Sequence, residues 1–127
     1  MPDGIGTDDA LARTTHLAIG AHQDDLEFMA LHGILECLSR PERWFTGVTM
    51  TDGTGSARSG PYAEYSDEEM SETRVTEQRK AAEMGEYGCQ IQLMFPSATV
   101  KDARESGPVE DLAASLEVAR PQTVYLH

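Results

Sequence analysis

The sequence predicts an α/β fold, a parallel sheet with helices on both faces. Three observations predict it. Strand-like and helix-like segments alternate in the order β-α-β-α-β-α-β. The first strand-like segment is a short apolar run ending in small residues, as expected of a buried strand. The chain has 127 residues, 39% hydrophobic and 25% charged, which suits one folded domain with a core of its own.

Taken in order, residues 1–13 are polar and read as a flexible tail. Residues 15–21 form an apolar run ending in small side chains, a buried strand. Between Leu26 and Ser39, the residues Phe28, Leu31, Ile34, Leu35 and Leu38 fall at helical spacing, and Arg40-Pro41 stops the helix. Residues 44–51 give a second strand. The Gly- and Ser-rich stretch that follows runs to about Tyr65, a length that in a compact domain marks function or disorder. Ser66-Asp67-Glu68-Glu69 is a capping box that opens a helix reaching Met84, with Gly85 to end it. Residues 91–95 give a third strand, closed by Pro96. Gly107-Pro108 opens a last helix with Leu112, Leu116 and Ala119 on one face, and Arg120-Pro121 ends it. Residues 123–127 give a fourth strand. Such a strand normally feeds another helix, so the expectation is a single domain, residues 1–127, whose C-terminal part is missing.

Composition excludes several classes. With 22 acidic against 10 basic side chains, the net charge of −12 opposes binding to a nucleic-acid backbone or an anionic membrane surface. No stretch approaches the roughly 18 apolar residues of a spanning helix, and the N-terminus lacks the pattern of a signal peptide. Cys37 and Cys89 stand alone without a C-x-x-C arrangement, so the expected setting is the cytoplasm, with reduced thiols.

Ligands of open parallel sheets bind beyond the carboxyl ends of the strands. The first strand delivers His22, Gln23, Asp24 and Asp25 there, the second Asp52, the third Ser97 and the fourth His127. His22 and Asp25, three apart at a strand-to-helix junction, can hold one metal ion from the same side, with Asp24 free to take a proton. A divalent ion on few protein ligands keeps a position open for water and acidifies it. The plainer reading is that Asp25 caps the next helix, Glu27 favours its dipole and His22 is a loop histidine. The two readings are compatible. On the capped helix, Met70, Arg74, Glu77, Ala81 and Met84 share one stripe. The stripe is either a solvated face with an Arg74–Glu77 pair, or a surface on the ligand edge where Glu77 fixes Arg74 for a polar substrate. Asp52-Gly53 is at least as well read as a turn. His32 reads as structural, and Met50, Met84 and Met94 as core fillers.

Ala21-His22-Gln23-Asp24-Asp25-Leu26-Glu27 resembles the Ala-His-Pro-Asp-Asp-x-Glu signature of the PIG-L/LmbE-like family of metal-dependent N-acetylglucosamine deacetylases. Thr51-Asp52-Gly53 is similar to that family's Thr-Asp-Gly turn, and Arg74-x-x-Glu77 with Ala81-Ala82-x-x-Gly85 to its Arg-x-x-Glu helix. The three motifs come in the family's order. The resemblance implies a Rossmann-like fold and removal of an acetyl or related acyl group from a small amino-sugar conjugate, usually with zinc. By position, His22 and Asp25 would bind the metal and Asp24 would be the general base. Arg74 would contact substrate with support from Glu77, and Asp52 and His127 would lie at the substrate side. Gln23 replaces the usual proline, which is expected to loosen the turn, and Pro96-Ser97 stands where many members carry Asp. The family's third metal ligand is expected beyond His127, so residues 1–127 alone imply a weak metal site and a poor catalyst.

Two other classes compete. A receiver-like phosphoacceptor module would use Asp24, Asp25 and Asp52 around magnesium, but Lys101 does not follow the last strand as its lysine should. A noncatalytic carbohydrate- or nucleotide-binding α/β domain is the third. Self-association into a homo-oligomer stays open.

Overall fold

A computed structural model describes residues 1–127. Four strands, β1 (His16–Gly20), β2 (Phe45–Thr51), β3 (Cys89–Phe95) and β4 (Thr123–Leu126), form one sheet in the order β3-β2-β1-β4. Every pairing is parallel, with His16 opposite Phe45 on one side of β1 and Thr123 on the other. The order reverses direction at β1: the chain steps outward to β2 and β3, then crosses back to place β4 on the far side. This is the order of a Rossmann-like sheet and differs from the receiver order, in which β1 lies between β2 and β3.

Alternation along the strands divides the core in two. On one face, Ala18 and Phe45 meet Leu26 of α2 (Asp25–Met29), Ile34 and Cys37 of α3 (Leu31–Cys37) and Ala82 of α4 (Asp67–Met84). On the other, Leu17, Val48, Met50 and Cys89 meet Ala10 and Leu11 of α1 (Thr7–Ala12) and Ala119 of α6 (Gly107–Ala119), with Val100 of the short α5 (Ser97–Lys101) packed beside them. All seven residues of β2 are buried, as befits a strand covered on both sides.

Three expectations about the elements change. The stretch read as a flexible tail contains α1, because Ala10 and Leu11 fill the second core and the buried Thr14 Oγ1 lies 2.7 Å from Thr46 Oγ1 on β2. The first long helix is split at Ala30, whose φ of −119° leaves the helical region, so α2 and α3 follow the sheet separately. Of the three methionines read as core fillers, only Met50 is buried; Met84 is 85% exposed, and Met94, at the end of β3, is also exposed.

The capped helix forms as its sequence requires. Ser66 Oγ accepts the Glu69 N–H, and the Glu69 carboxylate accepts the Ser66 N–H. Its buried line is Met70, Gln78 and Ala82, with the half-buried Arg74 between, so the predicted stripe holds as far as Arg74 and then shifts by one position. α4 therefore meets the sheet partly through polar contacts: Gln92 on β3 donates to the Val75 carbonyl, and Gln78 lies 3.4 Å from Gln90.

Candidate active site

β1 ends at the point where the strand order reverses, and the turn that follows carries the predicted cluster. Asp24 adopts φ +73°, a left-handed conformation uncommon for a residue other than glycine, although aspartate tolerates it better than most. That conformation separates the two neighbouring carboxylates. Asp25 opens α2 and turns back, its Oδ2 accepting the His22 N–H at 2.9 Å and lying 3.6 Å from His22 Nδ1. Asp25 is therefore the first residue of the helix rather than its cap, and its side chain serves the turn. Asp24 projects elsewhere: its Oδ2 accepts Arg74 Nη2 at 2.9 Å, while its side chain is 47% exposed and its Oδ1 has no protein donor.

Arg74 gathers the site from fifty residues away. Nη2 also donates to the Gln23 carbonyl at 3.1 Å, and Nη1 to Glu77 Oε2 at 2.6 Å. Glu77 in turn accepts the Tyr62 hydroxyl at 3.1 Å, a bond that raises the Tyr62 phenol above its usual pKa. Tyr62 belongs to a short 3-10 turn, Gly60–Tyr62, inside the long loop. The same loop is fastened by Arg58, which donates to the Ser56 and Tyr65 carbonyls and to the Asp67 carboxylate at the start of α4. The Arg74–Glu77 pair is an intrahelical ion pair, and Arg74 reaches from it to the turn after β1.

The other predicted residues are placed as follows. Asp52 follows β2 and folds onto its own turn, with Oδ1 accepting the Thr54 N–H and hydroxyl. Gly53, at φ +80°, lets the chain pass Arg74: a β-carbon there would lie 2.8 Å from Arg74 Cβ. His127 follows β4, the strand paired with β1, and is exposed, with no hydrogen bond to the cluster. Gln23 ties the turn down rather than loosening it, because its buried side chain donates to the Thr51 carbonyl at 2.9 Å.

His22 and Asp25 suit two positions on one metal ion. Nitrogen and oxygen donors each about 2.1 Å from an ion stand up to about 4 Å apart, and these are 3.6 Å apart. No third His, Cys, Asp or Glu side chain joins them. The same geometry leaves Asp24, Asp25 and Asp52 without the shared acidic pocket of a phosphoacceptor module. The concavity lined by Arg40, Arg43, Trp44, Glu86 and Tyr87 lies at the amino end of the strands, away from this chemistry.

Residues 17–127 match the sequence profile of the family described as PIG-L, GlcNAc-PI de-N-acetylase. The chain belongs to the PIG-L family. No curated protein matches it. PIG-L is a family of deacetylase-type hydrolases, and the turn after β1, the Thr51-Asp52-Gly53 turn and the Arg74–Glu77 turn of α4 lie together here on one sheet edge. Sequence reasoning about this PIG-L chain missed Gln78 and Tyr62 as neighbours of the cluster. Gln78 lies one helical turn beyond Arg74, on the buried line, and that spacing was the available signal.

Proposed function

We propose that this PIG-L chain is a metal-dependent amide hydrolase that removes an acetyl or related acyl group from an N-acetylglucosamine-type amino sugar. One observation carries the reading: beside the His22–Asp25 pair stands a carboxylate with one oxygen held by Arg74 and the other open to solvent. A general base needs that combination of fixed direction and a free lone pair. His22 and Asp25 would hold a divalent ion, most simply zinc, and when bound the ion supplies Lewis acidity at the amide carbonyl and a lowered pKa for water.

The chain's own residues do the rest. Asp24 Oδ1 accepts the proton of the attacking water and returns it to the leaving amine. Arg74 fixes the carboxylate through Oδ2, and Glu77 and the Gln23 carbonyl fix Arg74. Since Arg74 is committed to three internal acceptors, its first task is to orient Asp24. Contact with substrate, the role expected of it, falls to whatever N–H remains outward. Asp52 and His127 border the substrate side at the ends of β2 and β4. The reading also places the protein in a reducing compartment such as the cytoplasm, supported by two free buried thiols. No helix is long and apolar enough to cross a membrane.

The test pairs metal analysis with deacetylation of an N-acetylglucosamine conjugate by the zinc-loaded full-length protein. Asp24→Asn should lower turnover about 10²–10⁴-fold and keep its metal; His22→Ala should lose both. Wild-type turnover in Asp24→Asn would overturn the assignment of the base.

A further inference from the structure

Beneath the signature turn lies a chain of buried polar side chains. The Asp24 N–H points inward, where no backbone carbonyl receives it, and Gln78 Oε1 accepts it at 3.1 Å. Gln78 is fully buried. Because an N–H can only donate, the oxygen of the Gln78 carboxamide must face Asp24, and its NH2 must face the other way. There Gln78 Nε2 donates to Glu27 Oε1 at 3.0 Å. Glu27 Oε1 also accepts the Tyr87 hydroxyl at 2.6 Å. Burial and this bond push the Tyr87 phenol far above its usual range, so it remains a donor. On the β3 side, Gln90 presents its oxygen to Gln78 at 3.4 Å and donates from Nε2 to Thr49 Oγ1 at 3.1 Å. The direction of Gln78 is thus set from both ends, while Glu27 Oε2 is buried without a partner.

We infer that Gln78 is a positioning residue for Asp24: its buried carboxamide captures the Asp24 N–H and so holds the left-handed backbone that parts the Asp24 carboxylate from the His22–Asp25 pair. A non-glycine residue at φ +73° persists only where its surroundings over-determine it. Two restraints act on Asp24 from opposite ends of α4's central turns, Arg74 on the carboxylate and Gln78 on the amide. Arg74 also holds the carbonyl of the Gln23–Asp24 peptide, and Gln78 holds the N–H on its other side, so the plane of that peptide is fixed only when both bonds are made. Burying a glutamine inside an α/β core is costly unless each polar atom is used, and here both ends are. This inference deepens the proposed reading, since the catalytic consequence rests on Asp24 being the base, but the restraint on the backbone stands independently of activity.

The experiment is amide hydrogen exchange at Asp24 by NMR in the full chain, with turnover measured beside it. In the wild type the Asp24 amide should exchange far more slowly than the same amide in the urea-unfolded chain; exchange at the rate of a free amide overturns the proposal without any variant. Gln78→Met keeps length and volume but removes the acceptor, together with the Nε2 donor to Glu27 and Gln90. It should speed Asp24 exchange about tenfold, the scale of one hydrogen bond, and lower kcat by a similar factor with KM unchanged. Val48→Ala, in the core on the opposite face of the sheet, controls for general loosening and should leave Asp24 exchange far less affected. Unchanged Asp24 exchange in Gln78→Met overturns the proposal. Accelerated exchange with unchanged kcat also overturns it as a statement about catalysis, provided Asp24→Asn is inactive. If Asp24→Asn is itself active, the base assignment fails and the exchange result alone decides what Gln78 holds.

Discussion

At the scale of single residues, the site works by giving two adjacent carboxylates different partners. Asp24 and Asp25 are identical in chemistry and next to each other in sequence, yet one turns back to His22 and the other is taken by Arg74. The positive φ at Asp24 produces the split, and the bonds to its amide and its carboxylate stabilise it. Gly53 is the complementary requirement on the neighbouring strand end. It holds φ +80° and leaves Arg74 the space beside it that a side chain would fill. Gly53→Ala should therefore cost about 1–3 kcal/mol through the backbone alone, seen as a lower urea midpoint. It should also displace Arg74 and reduce turnover beyond what the stability loss explains; an unchanged midpoint would contradict the φ assigned to Gly53.

At the scale of elements, α4 carries the argument. Its apolar contribution is small, and its place depends on the capping box at one end and on the polar contacts of Arg74, Gln78 and the Val75 carbonyl along its length. Ser66→Ala removes a side-chain cap and should destabilise the chain by about 1 kcal/mol, read from urea unfolding. The second half of the box responds to pH. The Ser66 backbone N–H, then its hydroxyl, hold the Glu69 carboxyl below the ordinary carboxylate range. The folded value is depressed, so this contribution is complete above the unfolded value, about 4.3, and is lost as pH falls through the folded one. Comparing Glu69→Ala, which removes the carboxylate, with the wild type across pH 3–6 (roughly the carboxylate range) should show the difference shrinking toward the acid end. A difference independent of pH would mean that Glu69 does not bond back.

At the scale of the whole molecule, the two faces of the sheet hold separate cores, and each contains one thiol. Cys37 lies in the core under α2, α3 and α4, and Cys89 in the core under α1 and α6. Burial is the main cause that pushes both thiols up, so both remain protonated near neutrality and out of reach. A thiolate-directed reagent at about pH 8 should react with the folded chain at least about tenfold more slowly than with the urea-unfolded chain. Prompt reaction of one thiol in native buffer would identify the face of the sheet that is not packed as described.

The strands, the capped helix, the order of the motifs and the signature turn are legible in the amino-acid order, because strand patterning, cap residues and turn chemistry act over a few positions. His22 and Asp25 were legible for that reason, being three residues apart on one turn. Tertiary structure alone decided that Arg74 grips Asp24 and that Gln78 holds its amide, since those partners lie about fifty residues apart in the chain and meet only once α4 crosses the sheet. It likewise turned residues 7–12 from an expected tail into α1, because Ala10 and Leu11 gain their burial chiefly from α6 and β3 rather than from any local pattern. Burial and long-range hydrogen bonds depend on which surfaces the completed sheet brings together, and no short stretch of sequence contains that information.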